Sequence, residues 1–189
     1  DEYIELDNVL VEMLRLHQIT SGVLCYKSMA VEGEQLEKKI DTAKRQGLKE
    51  LLENLEKDEP VVVFYKYEFD LKNIKKACKQ LGRKVAELNG TVNQLELFKH
   101  TNKFDTIAVQ IRSGGAGVDL TKAKYRIFYS VGLSNADYRQ ALKRGHRPGQ
   151  KRKVTYYHLV VPDTMDERIK KLLSDRSEEH TSELQSRSD

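Results

Sequence analysis

The sequence predicts a three-layer α/β domain in which helices cover both faces of a mainly parallel sheet, preceded by helices. Three observations carry this. From Pro60 onward, five β-branched or aromatic runs alternate with helical patterns: VVVFYKY (61–67), KVAELNG (84–90), TIAVQI (106–111), YRIFYSV (125–131) and VTYYHLVV (154–161). Strands that alternate with helices must be joined by crossovers, which forces them parallel. Second, the helix starts carry capping-box spacing: Thr91 with Gln94, Ser134 with Asp137 and Thr164 with Glu167. Third, 189 residues at 39% hydrophobic content suffice for one core of ordinary size and leave no room for a large second domain.

In chain order, YIELDNVLVEMLRLH (3–17) places apolar residues at 6, 9, 10, 13, 14 and 16, a helical stripe that Gly22 stops. Residues 34–57 are charged, with a second stripe through Leu48, Leu51, Leu52 and Leu55, which predicts another helix. Residues 1–57 therefore read as a leading helical segment and 58–175 as the α/β domain. Residues 176–189 (RSEEHTSELQSRSD) resemble a translated sequencing adapter and are expected to be an artefactual or disordered tail. With that tail, and with Asp1 in place of an initiating Met, the chain is expected to be a fragment.

Composition narrows function only loosely. There are 33 Lys and Arg against 29 acids, and setting the tail aside removes two of the former and four of the latter, leaving 31 against 25, or +6. This permits an anionic partner without requiring one. Cys25 and Cys78 give neither a disulfide framework nor metal-ligand spacing, and the five His are scattered, so no metal site is expected. No run of about 18 apolar residues exists, so no membrane partner is expected.

Two segments could carry chemistry. RSGGAGVDLT (112–121) follows the third strand; Gly114, Gly115 and Gly117 allow a tight turn and close approach to a ligand, and Asp119 can accept from hydroxyls. Counted from Gly115 and Gly117, Leu120 stands where the dinucleotide fingerprint needs its third Gly. No Gly-Lys dipeptide occurs, and the Asp-Glu pairs at 58–59 and 166–167, like the one that opens the chain, do not end an apolar strand, so both Walker motifs are missing. By itself the glycine cluster is also compatible with a plain strand-to-helix turn. QALKRGHRPGQKRKV (140–154) crowds six Lys and Arg into fifteen positions. Gln140 and Arg144 share a helix face, and Pro148 ends the helix near Gly145 and leaves Arg147 in the loop. A solvated basic helix end would give the same charge pattern.

Taken together, the order strand, GGAGVDL, strand, QALKRGHRPGQ resembles motifs V and VI of the C-terminal, RecA-like (P-loop NTPase-type) lobe of superfamily-two helicases, and GHRPGQ resembles the Swi/Snf-type branch of DNA translocases. VVVFYKYEFDLKNI is similar to the motif IV strand and helix, ELNG to the next strand, and MLRLHQITSG to the helix and turn joining the two lobes. The resemblance implies ATP bound between two lobes, the absent first lobe supplying the phosphate loop and the Mg-binding acid. Arg147 would be the arginine finger; Arg144 would assist it or tie the lobes together; Gln140 would orient nucleotide or water; and Gly117 with Asp119 would meet the ribose. Ser113, Gly114 and Gly115 would lie near the nucleic-acid backbone. The implied partners are double-stranded DNA, with RNA left open, and the first lobe. GLSNADYRQA (132–141) lacks the Trp-Asn-Pro of eukaryotic remodellers, which points to a phage or bacterial protein and a cytoplasmic location. The competing reading is a non-catalytic α/β nucleic-acid-binding module; a Rossmann-type cofactor enzyme is weakened by the missing third Gly.

Overall fold

The strand at the centre of the molecule, β3 (Val61–Tyr65), is buried along its whole length, and its alternate side chains feed two separate cores. In the computed structural model, residues 9–27, 35–40, 43–113, 118–144 and 153–186 are described, the last eleven by backbone alone. β3 lies between β5 (Thr106–Gln110) and β6 (Tyr125–Phe128); β4 (Val85–Leu88) and β7 (Thr155–His158) form the edges, in the order β4-β5-β3-β6-β7. Every pairing in this sheet is parallel, as the alternation of strand and helix requires.

On one face Val61, Val63 and Tyr65 pack with Leu48 and Leu52 of α2 (Ala43–Asn54) and Ile74 and Ala77 of α3 (Glu68–Gln80). On the other, Val62 and Phe64 join Phe98 of α4 (Leu95–His100), Ile107, Val109, Leu120, Phe128 and Ala141 of α5 (Asn135–Lys143). The three-layer expectation thus holds. A third cluster seats Met13 of α1 (Val9–Thr20) and Tyr138 of α5 against Met165, Ile169 and Leu173 of α6 (Met165–Ser186). Among the described residues no helix is long and apolar enough to cross a membrane.

From β3 the chain builds one side of the sheet, β4 and β5, before crossing to β6 and β7. The direction reverses between β3 and β6, and crevices at the C-terminal ends of strands at such a reversal are where α/β folds bind ligands.

Several local expectations need correction. The leading segment is not all helical: β1 (Val23–Lys27) and β2 (Gln35–Lys39) form an antiparallel pair with Val23 opposite Lys39. QLEKK carries little strand propensity of its own; pairing with VLCYK makes it a strand. α1 runs to Thr20, and the part of its predicted helix before Val9 lies outside the described residues. Thr91 does not cap a helix. Its N–H and hydroxyl both donate to Asn89 Oδ1 at 3.0 Å, and Gln94 occupies the cap position of α4. Asn89 closes this turn locally in competition with a helical start. The other two starts come closer: Ser134 Oγ accepts from Asp137 N (3.2 Å), and Thr164 Oγ1 from Asp166 N (3.3 Å), although Glu167 reaches back to Asp163 N instead of to Thr164. α6 continues as helix to Ser186, into the stretch set aside as a tail.

Ile74 is fully buried where α3 meets the sheet, whereas Leu97 on α4 is 44% exposed. Urea unfolding of Ile74→Ala is expected to show a loss of roughly 2–5 kcal/mol, and Leu97→Ala a change within about 0.5 kcal/mol. Equal losses would contradict the placement of the core.

Candidate functional site

α5 begins where Ser134 caps it and ends at Arg144, whose N–H donates to Gln140 O at 3.1 Å. The i, i+4 spacing brings the two side chains together: Arg144 Nη2 donates to Gln140 Oε1 at 3.3 Å, with Gln140 exposed and Arg144 buried. Burial lowers the proton affinity of the Arg144 guanidinium, and the Asp137 carboxylate on the same helix partly offsets this. Arg147 lies outside the described residues.

The second segment leaves β5 alongside this helix. Ser113 turns back on Gln110, its N–H donating to Gln110 O (2.9 Å) and its hydroxyl to Gln110 Oε1 (2.7 Å). Arg112 Nε lies 3.5 Å from Asp137 Oδ2, which ties the β5 exit to the first turn of α5. Gly114, Gly115 and Gly117 lie outside the described residues. Asp119 Oδ1 accepts from the N–H (2.9 Å) and hydroxyl (2.7 Å) of Thr121, so this oxygen closes a turn. The segment is held from beneath by Arg126, a fully buried residue of β6 whose Nη2 donates to Leu120 O at 2.8 Å. Two of the sequence-predicted residues, Gln140 and Arg144, are therefore in contact; Ser113 and Asp119 are each bonded within their own turn.

Sequence reasoning missed a buried polar layer beneath this edge. Asp166 accepts from Lys44 Nζ at 2.7 Å (Oδ2) and 2.9 Å (Oδ1), from Thr20 Oγ1 at 3.1 Å and from Val161 N at 3.1 Å, with His17 Nε2 3.5 Å away. His17 Nδ1 is 3.1 Å from the Tyr67 hydroxyl. Burial, then the nearby Lys44 and Lys66 charges, lower the His17 pKa to about 3, so the ring is neutral at ordinary pH. Asp70, fully buried at the start of α3, accepts from Ser130 Oγ (2.6 Å) and Tyr67 N (3.0 Å). Burial raises its pKa to about 6, against the lowering effect of these hydrogen bonds and of Lys44. The only signal in the sequence was the presence of charges inside amphipathic patterns, Lys44 in the leucine stripe and Asp166 at a helix start. Among the described residues no group of three or more His, Cys, Asp or Glu is placed to hold a metal ion.

Comparison with known proteins places this geometry. The helicase conserved C-terminal domain model matches residues 43–149. The chain is 30% identical over 173 residues to the ATP-dependent helicase fft3 of Schizosaccharomyces pombe, covering 87% of this chain and 19% of that protein. It is 36% identical over 81 residues to the chromatin-remodeling ATPase INO80 of Homo sapiens, covering 43% of this chain and 5% of that one. Among solved structures, the C-terminal part of the Fun30 ATPase domain superposes with a TM-score of 0.62 at 26% identity, over 69% of this chain and 44% of that chain. The chain thus spans about a fifth of the length of fft3. These eukaryotic relatives overturn the expectation of a phage or bacterial, cytoplasmic protein. The departure that prompted it, GLSNADYRQA, is the turn into α5, where Ser134 and Asp137 answer to helix capping and not to lineage.

Because folding raises the Asp70 pKa from 3.8 to about 6, the folded state binds this proton more tightly than the unfolded chain. The resulting stability is fully present below about pH 4 and is lost as pH rises through about 6. Asp70→Asn keeps an oxygen for Ser130 and Tyr67 and removes the charge. The variant is expected to match the wild type near pH 4 and to exceed it by on the order of 2 kcal/mol near pH 8, as read by chemical denaturation across pH. A variant no more stable than the wild type at pH 8 would contradict this.

Proposed function

The chain belongs to the helicase conserved C-terminal domain family, and on that premise we propose that it is the C-terminal motor lobe of an ATP-dependent DNA translocase or helicase. The observation that carries the reading is the junction at the sheet's C-terminal edge. There the Arg112–Asp137 contact holds the β5 exit against α5, and α5 ends on the Gln140–Arg144 pair. Two loops that would face different ligands, nucleotide and nucleic acid, are thereby mechanically joined.

In this reading residues 1–57 lead from a first lobe, which carries the phosphate loop and the acid that binds Mg. ATP occupies the cleft between the lobes and supplies the phosphoryl group that is transferred to water. This lobe contributes Arg147 against the γ-phosphate, Arg144 to hold the motif VI segment, and Gln140 to orient nucleotide or water; Gly117 and Asp119 face the ribose side. Buried beside α5 and already bonded to Gln140, Arg144 suits a positioning role better than a mobile one. Ser113, Gly114 and Gly115 lie against the backbone of double-stranded DNA. Phosphoryl transfer is accelerated mainly by positive charge set against developing negative charge, and a finger that arrives only on lobe closure makes hydrolysis depend on conformation.

The isolated chain is expected to hydrolyse no ATP above background and to bind DNA weakly, with a log–log salt slope of about 2–4, since few cations reach phosphates. DNA-stimulated turnover by the pure chain would refute the motor-lobe reading. In the longer protein, Arg147→Ala is expected to reduce ATP turnover by roughly a hundredfold or more with DNA binding nearly unchanged, and lysine at 147 is not expected to rescue it. Lys151→Ala is the control, with turnover at saturating DNA changed by less than about threefold. Equal small losses in steady-state ATPase assays would reduce the segment to a basic helix end.

A further inference from the structure

A charged side chain stands inside the apolar layer beneath the β5 exit. Arg126 of β6 lies opposite Val62 of β3 and Tyr156 of β7, in the row that otherwise sends Val62, Phe64 and Phe128 into the interior, and it is fully buried. Among the described residues it forms no ion pair with a carboxylate, and its Nε and Nη1 have no hydrogen-bond partner. Burial lowers the proton affinity of the guanidinium, and Tyr156 and then Asp119 partly offset this. A buried charge costs free energy that an apolar side chain of similar volume would not, so what Arg126 gives the fold lies in its contacts.

Those contacts face two ways. Towards the segment after β5, Nη2 donates to Leu120 O at 2.8 Å, a carbonyl that also accepts from Ala123 N at 3.2 Å. Towards α5, the guanidinium carbon lies 5.8 Å from the centre of the Tyr156 ring, and the Tyr156 hydroxyl donates to Leu142 O at 2.9 Å. The last carbonyls of a helix have no partner within it, so this bond holds the final turn of α5, which carries Gln140 and Arg144. One guanidinium, one ring and one hydroxyl thus run without a break from Leu120 to Leu142. Exclusion of water strengthens each polar contact along the way.

We propose that Arg126 and Tyr156 are positioning residues, a buried strut that makes the 118–121 segment and the end of α5 move as one body. It reinforces from beneath the contact that Arg112 and Asp137 make at the rim, where the arginine is exposed and an ion pair contributes little by itself. The strut stands on these contacts. Its consequence for turnover rests on the motor-lobe reading, in which the first segment borders ribose and nucleic acid and the second carries groups that face ATP. With the strut intact, a shift of one segment reaches Arg144; without it, the two settle independently.

The test measures ATP turnover of the longer protein, with and without saturating duplex DNA, for Arg126→Met, Tyr156→Phe, the two combined, and the control Tyr157→Phe on the other face of β7. Arg126→Met and Tyr156→Phe are each expected to lower the ratio of DNA-stimulated to DNA-free turnover roughly three- to thirtyfold, with DNA-free turnover nearly unchanged. The combination is expected to lose no more than the worse single variant, and the control to match the wild type. Arg126→Met is expected to melt at the wild-type temperature or above it, because it exchanges a buried charge for apolar volume. On this chain alone, amide hydrogen exchange in Arg126→Met is expected to quicken at both 121–123 and 142–144. The proposal is overturned if the ratio does not move, if the control loses as much, or if the two losses multiply as independent effects. It is equally overturned if both turnovers fall together with melting temperature, or if exchange at 142–144 matches the wild type. A wild type without DNA-stimulated turnover would sink the motor-lobe reading, and the exchange comparison would then decide the strut by itself.

Discussion

The arrangement of the helices depends on one buried carboxylate. Asp166, with its side chain 5% exposed, lies 2.7 Å from the Lys44 ammonium and accepts from Thr20 and Val161. Taking an ion pair out of water costs several kcal/mol per ion, and only good geometry with the remaining lone pairs satisfied offsets that cost. Each partner comes from a different element: Thr20 from α1, Lys44 from α2 and Val161 from the turn between β7 and α6. One charge thus fixes three segments, and any displacement of one exposes the others to an uncompensated ion. Because Tyr138 of α5 packs on Met165 and Ile169 of α6, the helix bearing Gln140 and Arg144 is positioned by the same constraint.

A second buried carboxylate, Asp70, solves the same problem differently. Its hydrogen-bond partners, the Ser130 hydroxyl and the Tyr67 amide, are neutral, and among the described residues no cation forms an ion pair with it. Lys44 reaches it only as a field, so burial dominates and its pKa rises, while Asp166 has the ammonium directly on it. Between the two carboxylates sits His17, neutral, in contact with the Tyr67 hydroxyl on one side and near Asp166 on the other. The ring therefore links α1 to the start of α3 as a dipole. Burial disfavours the charged ring, and the Lys44 and Lys66 ammoniums add to this, so the imidazole stays uncharged.

How much of this the sequence announced follows from how local each signal is. The central strands β3, β5 and β6 were legible because burial on both faces demands runs such as VVVFY and TIAVQ, and the edge strands β4 and β7 because their β-branched or aromatic runs alternate with helical patterns. Gln140 and Arg144 were legible because helical periodicity alone puts them together. β2 was not, since QLEKK becomes a strand only through its partner. Nor was the polar layer: His17 lies 149 positions from Asp166, Lys44 lies 122 positions from it, and no periodicity encodes a contact at that separation. Thr91 misled for a related reason, because Asn89 two residues earlier offered its N–H and hydroxyl a nearer acceptor than a helix start.

The parallel sheet also explains why the charges gather at this edge. Where β3, β5 and β6 stop pairing, their backbones supply a few last hydrogen bonds, Ile111 to Tyr65 and Tyr129 to Phe64. Lys66 and Arg112 lie just past the ends of β3 and β5, whereas Ser130, past β6, is buried and bonded to Asp70. Among the described residues the half-buried Lys66 ammonium pairs with no carboxylate, which is unfavourable for the folded chain on its own. It is tolerated because β3 is locked between two cores, each assembled from several elements, so local relaxation that would relieve the ammonium is opposed by the whole of both interiors. The stability of the interior is thus what keeps a cationic edge in place.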